Sequence, residues 1–140
     1  MGLNPLRVYF DACIAIYLVE DHPTFAPMIE TRLVEKTQTA KVIIRASELT
    51  EMECLVMPLR NKNHPLLNKF RLWFDKVEML PVEREIFRRA AQLRADFVGL
   101  KTPDAIHLAT ALHFGSDEFW TNDNRLAHVA PSLAVNVTTF

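Results

Sequence analysis

The sequence predicts an α/β fold: one domain with a largely parallel central sheet flanked by helices, an α/β/α sandwich. Short β-branched or aromatic runs alternate with longer segments of helical period along the whole chain. No internal repeat, low-complexity tract or Gly/Ser linker interrupts that alternation. The length of 140 residues suits one domain with its own buried core, expected to cover residues 1–140.

The elements follow in order. Strands are expected at Leu6–Phe10, Lys41–Arg45, Val77–Leu80, Glu118–Thr121 and Ala134–Thr138. Between the first two strands, Ala12–Glu20 and Pro23–Lys36 read as helices separated at Asp21-His22-Pro23. Ser47–Leu59 is a helix with Ser47 able to cap it and Pro58 disturbing its last turn. Pro65–Asp75 leads into the third strand. From Val82 to Phe97, Ile86, Ala90, Leu93 and Phe97 share one helical face, with Glu85 and Arg89 paired on the other. A further helix begins near Thr102-Pro103-Asp104, with Thr102 as cap and Pro103 in the first position. Its buried stripe is Ala105, Leu108, Ala109 and Leu112, and Gly115 stops it.

Composition removes several function classes. Apolar residues make up 49% and charged residues 24%, as in ordinary soluble domains. The formal net charge of −1 argues against coating nucleic acid by bulk electrostatics. The apolar run Ala12–Val19 is far shorter than the ~20 residues a membrane span needs, and the first residues carry no secretory pattern. Cys13 and Cys54 then read as reduced core thiols, and a cytoplasmic protein is expected, with no membrane partner. Arg60, Lys62, Lys69 and Arg71 form a stretch without acids, which is either a solvated face or a phosphate-contacting rim.

The chemistry lies in four acids. In parallel α/β sheets ligands bind beyond the carboxyl ends of the strands. Asp11 directly follows the first strand, and Asp123 falls two residues after the fourth. Acids on neighbouring strand ends, ~4.8 Å apart, can share one ion. Taken singly, each acid has a structural explanation. Asp11 can cap a helix, Glu53 can complete a capping box with Thr50, Asp104 can sit on a helix dipole, and Asp123-Asn124 can make a turn. Asp11 nevertheless interrupts an apolar passage, and Glu53 is flanked by Met52 and Cys54-Leu55-Val56. No basic residue lies near either to form a local salt bridge. An unpaired carboxylate in such surroundings is costly to bury, and converging carboxylates call for a hard divalent cation. An all-oxygen donor set favours Mg2+ or Mn2+ over zinc. His107 and His113 have no zinc-ligand spacing; His107, one turn after Asp104, could touch substrate. An acidic cluster also disfavours Cys13 or Cys54 as a thiolate nucleophile.

Four segments carry a resemblance to PIN-domain ribonucleases, and among them to the VapC-type toxins of bacterial toxin–antitoxin modules. Val8-Tyr9-Phe10-Asp11-Ala12-Cys13-Ile14 resembles the family's first strand and first acid. Ser47-Glu48-Leu49-Thr50-Glu51-Met52-Glu53-Cys54 is similar to its second motif, with the acid at Glu53 rather than Glu51. Leu100-Lys101-Thr102-Pro103-Asp104-Ala105-Ile106-His107-Leu108-Ala109 resembles the third, and Phe119-Trp120-Thr121-Asn122-Asp123 the fourth. Where many relatives place a hydroxyl residue and Asn after the first aspartate, this chain has Ala12 and Cys13.

The resemblance implies a Mg2+- or Mn2+-dependent endoribonuclease with Asp11, Asp104 and Asp123 as direct ligands. Glu53 would bind directly, bind through water or orient the attacking water. The metal would supply the nucleophilic water and neutralise charge developing on the scissile phosphate. Thr121 and Asn122 are candidate supports of the site, and the distribution of basic residues, apart from the resemblance, offers Arg60, Lys62, Lys69 and Arg71 as a candidate RNA rim. The resemblance further implies a homodimer silenced by a cognate antitoxin.

Two other classes compete. A phosphatase of the dehalogenase type needs a second aspartate two residues after Asp11, where Cys13 stands. A receiver domain needs a phosphoacceptor aspartate after the third strand, where Pro81-Val82-Glu83 is found, and Gly2, Gly99 and Gly115 form no nucleotide loop. The non-enzymatic alternative is a catalytically idle PIN-like scaffold that binds RNA or a protein partner.

Overall fold

In the computed structural model, which describes residues 4–139, five parallel strands form one sheet between two helical layers. The elements are β1 (Pro5–Phe10), α1 (Ala12–Val19), α2 (Phe25–Thr37), β2 (Lys41–Ser47), α3 (Glu48–Arg60), α4 (His64–Lys76), β3 (Glu78–Leu80), α5 (Arg84–Asp96), α6 (Thr102–His113), β4 (Glu118–Thr121), α7 (Asn124–Val129) and β5 (Ala134–Asn136). The strand order is β3-β2-β1-β4-β5. β1 is therefore central, with β2 and β3 laid down on one side of it and β4 and β5 on the other.

Alternation along β1 explains the two layers, because successive side chains of a strand point to opposite faces. Val8 and Phe10 pack with Ile14, Ile29, Phe70 and Trp120 on one side. Tyr9 packs with Ile86, Leu108, Phe119 and Leu126 on the other. A sheet covered on both faces buries a continuous apolar run in its middle strand, and Val8, Tyr9 and Phe10 are all fully buried.

Several boundaries differ from the sequence expectation, each for a local reason. α3 continues through buried Pro58 to Arg60 instead of fraying there. α5 begins at Arg84, not Val82, and Phe97 ends it half exposed instead of extending its buried stripe. Glu85 pairs with Arg88 one turn on, at 3.8 Å, rather than with Arg89. Lys101, not Thr102, is the N-cap of α6, which moves Pro103 to the second helical position. β5 stops at Asn136, whose side chain turns the chain by accepting from the Thr138 N–H and hydroxyl. Buried Arg45 joins β2 to the far layer: its guanidinium donates to Glu78 and, at 2.7 Å, to the Phe114 carbonyl at the end of α6.

Candidate metal and nuclease site

A sheet of this order has one topological switch point, between β1 and β4, where a crevice opens at the carboxyl ends. Phe10 is paired with Trp120 there, and the Asp11 N–H donates to the Trp120 carbonyl at 3.0 Å. Asp11 and Thr121 are thereby set side by side. One Asp11 oxygen caps α1 by accepting from the Ala12 N–H at 2.8 Å, and the other accepts from the Thr121 hydroxyl at 2.9 Å. Thr121 also accepts from the Asp123 N–H at 3.1 Å. The hydroxyl contact that Ala12 cannot offer Asp11 comes across the sheet from Thr121.

Glu53 reaches the same edge from α3. Its expected capping box with Thr50 is not formed. The box pairs Ser47 with Thr50 instead, one turn earlier, so Glu53 carries no capping duty. Its carboxylate meets His107 Nε2 at 2.5 Å, and that nitrogen lies 3.9 Å from Asp11. A carboxylate only accepts, so Nε2 carries the proton and donates. In a neutral ring Nδ1 then accepts from the Tyr9 hydroxyl, 2.7 Å away, and the Tyr9 oxygen in turn accepts from Ser47 at 2.8 Å. Burial pushes the Tyr9 phenol up from its usual value and keeps it protonated. The chain Ser47–Tyr9–His107–Glu53 fixes one carboxylate through groups that are almost wholly buried. The sequence signals for His107 and Tyr9 were weak, since nothing local ties residue 107 to residue 53.

Asp104 stands in the first turn of α6 and lines one cleft with Asp123. Burial, then the charges of Asp11 and Asp123, raise its carboxyl above the usual value. That repulsion marks the three aspartates as neighbours. Asp123 differs, because the Arg125 guanidinium grips both its oxygens, at 2.8 Å for the shortest contact, and holds its carboxyl below the usual value. The same carboxylate caps α7 at the Arg125 N–H, so the expected turn at Asp123-Asn124 opens a six-residue helix. Among the described residues no three His, Cys, Asp or Glu side chains already form a metal cage. Asp123 is turned to Arg125 and Glu53 to His107, and both would have to share those partners with an ion.

The donor set nevertheless fits a hard divalent cation. It is all oxygen, and Asp104 is penalised by like charges that a cation would offset. Cys13 and Cys54 are both pushed up by burial and by nearby carboxylates, which leaves them as unreactive thiols. Asn122, expected to support the site, makes its side-chain bond elsewhere, donating to the Tyr17 hydroxyl at 3.0 Å.

The basic stretch lies elsewhere. Lys69 is paired with Asp21 at 2.8 Å, beyond the far end of α1 from Asp11. Arg60 lies seven residues along α3 from Glu53, about 10 Å at 1.5 Å per residue. Arg60, Lys62, Lys69 and Arg71 are absent from the cleft that holds Asp104 and Asp123; its basic side chains are Lys101, Arg125 and His128, beside a third acid, Asp96.

The PIN domain family matches residues 8–131, which contain all four acids. The chain belongs to the PIN domain family. Solved structures agree on the fold of this PIN domain. VapBC2 from Rickettsia felis, solved bound to a DNA fragment from its promoter, superposes with a TM-score of 0.77 at 13% identity, covering 94% of this chain and 98% of that one. A toxin–antitoxin complex from Klebsiella pneumoniae gives 0.73 at 24% identity, covering 93% and 97%. VapC20 of Mycobacterium tuberculosis, a toxin that cleaves the sarcin–ricin loop, gives 0.70 at 12% identity, covering 88% and 95%. No curated protein matches the sequence. No helix among the described residues is long and apolar enough to cross a membrane.

Proposed function

We propose that this PIN domain is a divalent-metal-dependent endoribonuclease, with Asp11, Asp104 and Asp123 holding Mg2+ or Mn2+ and Glu53 completing the site. The observation that carries the reading is the position of Asp11 and Asp123 on adjacent strand ends at the switch point, with Asp104 under their combined repulsion. When bound, the metal supplies Lewis-acid stabilisation of a phosphodiester undergoing hydrolysis. The chain's own groups do the positioning. Thr121 orients Asp11, and the Tyr9–His107 pair aims Glu53, which receives or directs the proton of the attacking water.

The fold shared with VapBC toxin–antitoxin complexes supports a biological role as the toxin of such a pair, acting in the cytoplasm, forming a homodimer and neutralised by an antitoxin. A structured RNA incubated with the purified protein and Mg2+ or Mn2+ should be cut at discrete positions. Chelation or Asp104→Asn should lower the rate at least a hundredfold. Identical RNA profiles for wild type and Asp104→Asn would overturn the nuclease reading. The Arg125–Asp123 pair favours one second reading, a scaffold in which the fourth acid never releases its arginine. That reading requires RNA binding without cutting and no thermal shift with either ion.

A further inference from the structure

Two of the four carboxylates already carry a partner: Asp123 holds Arg125, and Glu53 holds His107. Only one of those partners is free to leave. The Arg125 side chain is 71% exposed, so it can trade a carboxylate for water at little cost. The His107 side chain is 1% exposed, and breaking its bond strands a buried N–H, a penalty that an exposed pair does not carry. Its ring is also held from the other side. Nδ1 meets the Tyr9 hydroxyl at 2.7 Å, and that hydroxyl lies 2.8 Å from Ser47 and 3.3 Å from Thr50. Tyr9 in turn stacks on Phe119 with ring centres 5.3 Å apart, and meets the His107 ring edge-on at 5.7 Å. The imidazole is therefore fixed in place and in tautomer.

We propose that Tyr9 and His107 withhold Glu53 from the metal, so that Asp11, Asp104 and Asp123 bind a single ion and Glu53 is kept for the attacking water. The inference rests on the metal-dependent ribonuclease reading and divides the labour among its four acids. A two-ion site clamps its substrate between ions ~3.5–4 Å apart. Between Glu53 and Asp11 stands His107 Nε2, 2.5 Å from one carboxylate and 3.9 Å from the other. An N–H fixed there turns its positive end into the gap that a second cation would need. One Glu53 oxygen is committed to that N–H. The other has no protein partner among the described residues, and the side chain is 32% exposed, open to water. Tyr9 and His107 are thus positioning residues, which act through Glu53 and do not touch the reacting atoms.

Titration calorimetry of the full chain with Mn2+ should count one ion per chain. Glu53→Gln keeps an oxygen for the His107 N–H, so its Mn2+ affinity should stay within about twofold of wild type while RNA cleavage slows about a hundredfold. Asp104→Asn should lose the ion. Tyr9→Phe should lower kcat about tenfold and leave KM and Mn2+ affinity unchanged. In the metal-free chain, 15N NMR should show His107 as one tautomer with its proton on Nε2, and a mixture of tautomers in Tyr9→Phe. A merely structural Tyr9 would lower the melting temperature in chelator and move neither kcat nor the tautomer, against the inference. Two ions per wild-type chain, or a Glu53→Gln chain whose Mn2+ affinity falls about tenfold or more, overturns the inference and leaves the nuclease reading intact. One ion, held equally well by Glu53→Gln, with no RNA cut by wild type overturns the nuclease reading and upholds the withholding of Glu53. A wild-type chain that binds no ion overturns both.

Discussion

His107 shows how a single side chain escapes a reading based on spacing. It lies on a helix whose face is otherwise a plain apolar stripe, yet both ring nitrogens are engaged, one by Glu53 and one by Tyr9. Its partners are 54 and 98 residues away in sequence, so no local pattern could pair them. Arg125 is two residues from Asp123, and its side chain reaches that carboxylate only because the chain turns into α7 there. The acids themselves were legible, because a carboxylate within an apolar passage is conspicuous wherever the chain folds. Asp104 yields a prediction at this scale. Its carboxyl is raised in the folded chain, so between the usual value and the raised one the folded state holds more protons than the unfolded state. Stability from this group therefore falls as pH rises through that window. Asp123, lowered by Arg125, works in the opposite sense, adding stability above the usual carboxylate value that is lost as pH falls. Asp104→Asn, melted in chelator, should match wild type in acid and exceed it in melting temperature at pH 7.

At the scale of elements, hydrophobic period placed all five strands and five of the seven helices within a few residues, while Pro65–Asp75, read only as the lead into the third strand, is α4. α7 escaped because it has six residues, buries only Leu126, and follows a dipeptide typical of turns. Caps were harder to read than elements. Ser47 and Thr50 made one box where Thr50 and Glu53 promised another, and the difference of one turn decides whether Glu53 is structural or free. Arg45 gives the element-scale prediction. It is the buried tie between β2, β3 and the end of α6, donating to a carbonyl that has no other partner there in the helix ladder. Arg45→Met keeps the length and removes the donors. It should lower unfolding free energy by about 2 kcal/mol, read as an earlier urea midpoint, with the slope unchanged.

For the whole molecule, parallel topology follows from alternation, but the order of strands does not. The crevice at β1 and β4 was readable only as two acids at two strand ends; the sheet order made those ends neighbours. The basic stretch from Arg60 to Arg71, prominent in sequence, falls at the end of α3 and on α4, outside the cleft that holds Asp104 and Asp123. A ligand that binds only the folded state at about 100 times its dissociation constant adds roughly 2.7 kcal/mol. Saturating Mn2+ should accordingly raise the wild-type melting temperature by several degrees and leave Asp104→Asn nearly unmoved, as differential scanning fluorimetry would show.

The Arg125–Asp123 ion pair also sets an order of events in the life of the chain. A guanidinium already resting on the fourth aspartate means that the newly made protein carries a cation of its own into the acidic crevice. If the proposed ion binds there, folding can finish before it arrives, and loading would be a late exchange of one positive charge for another. Under that proposal the chain would be stored folded and inactive without free metal, and armed afterwards without refolding.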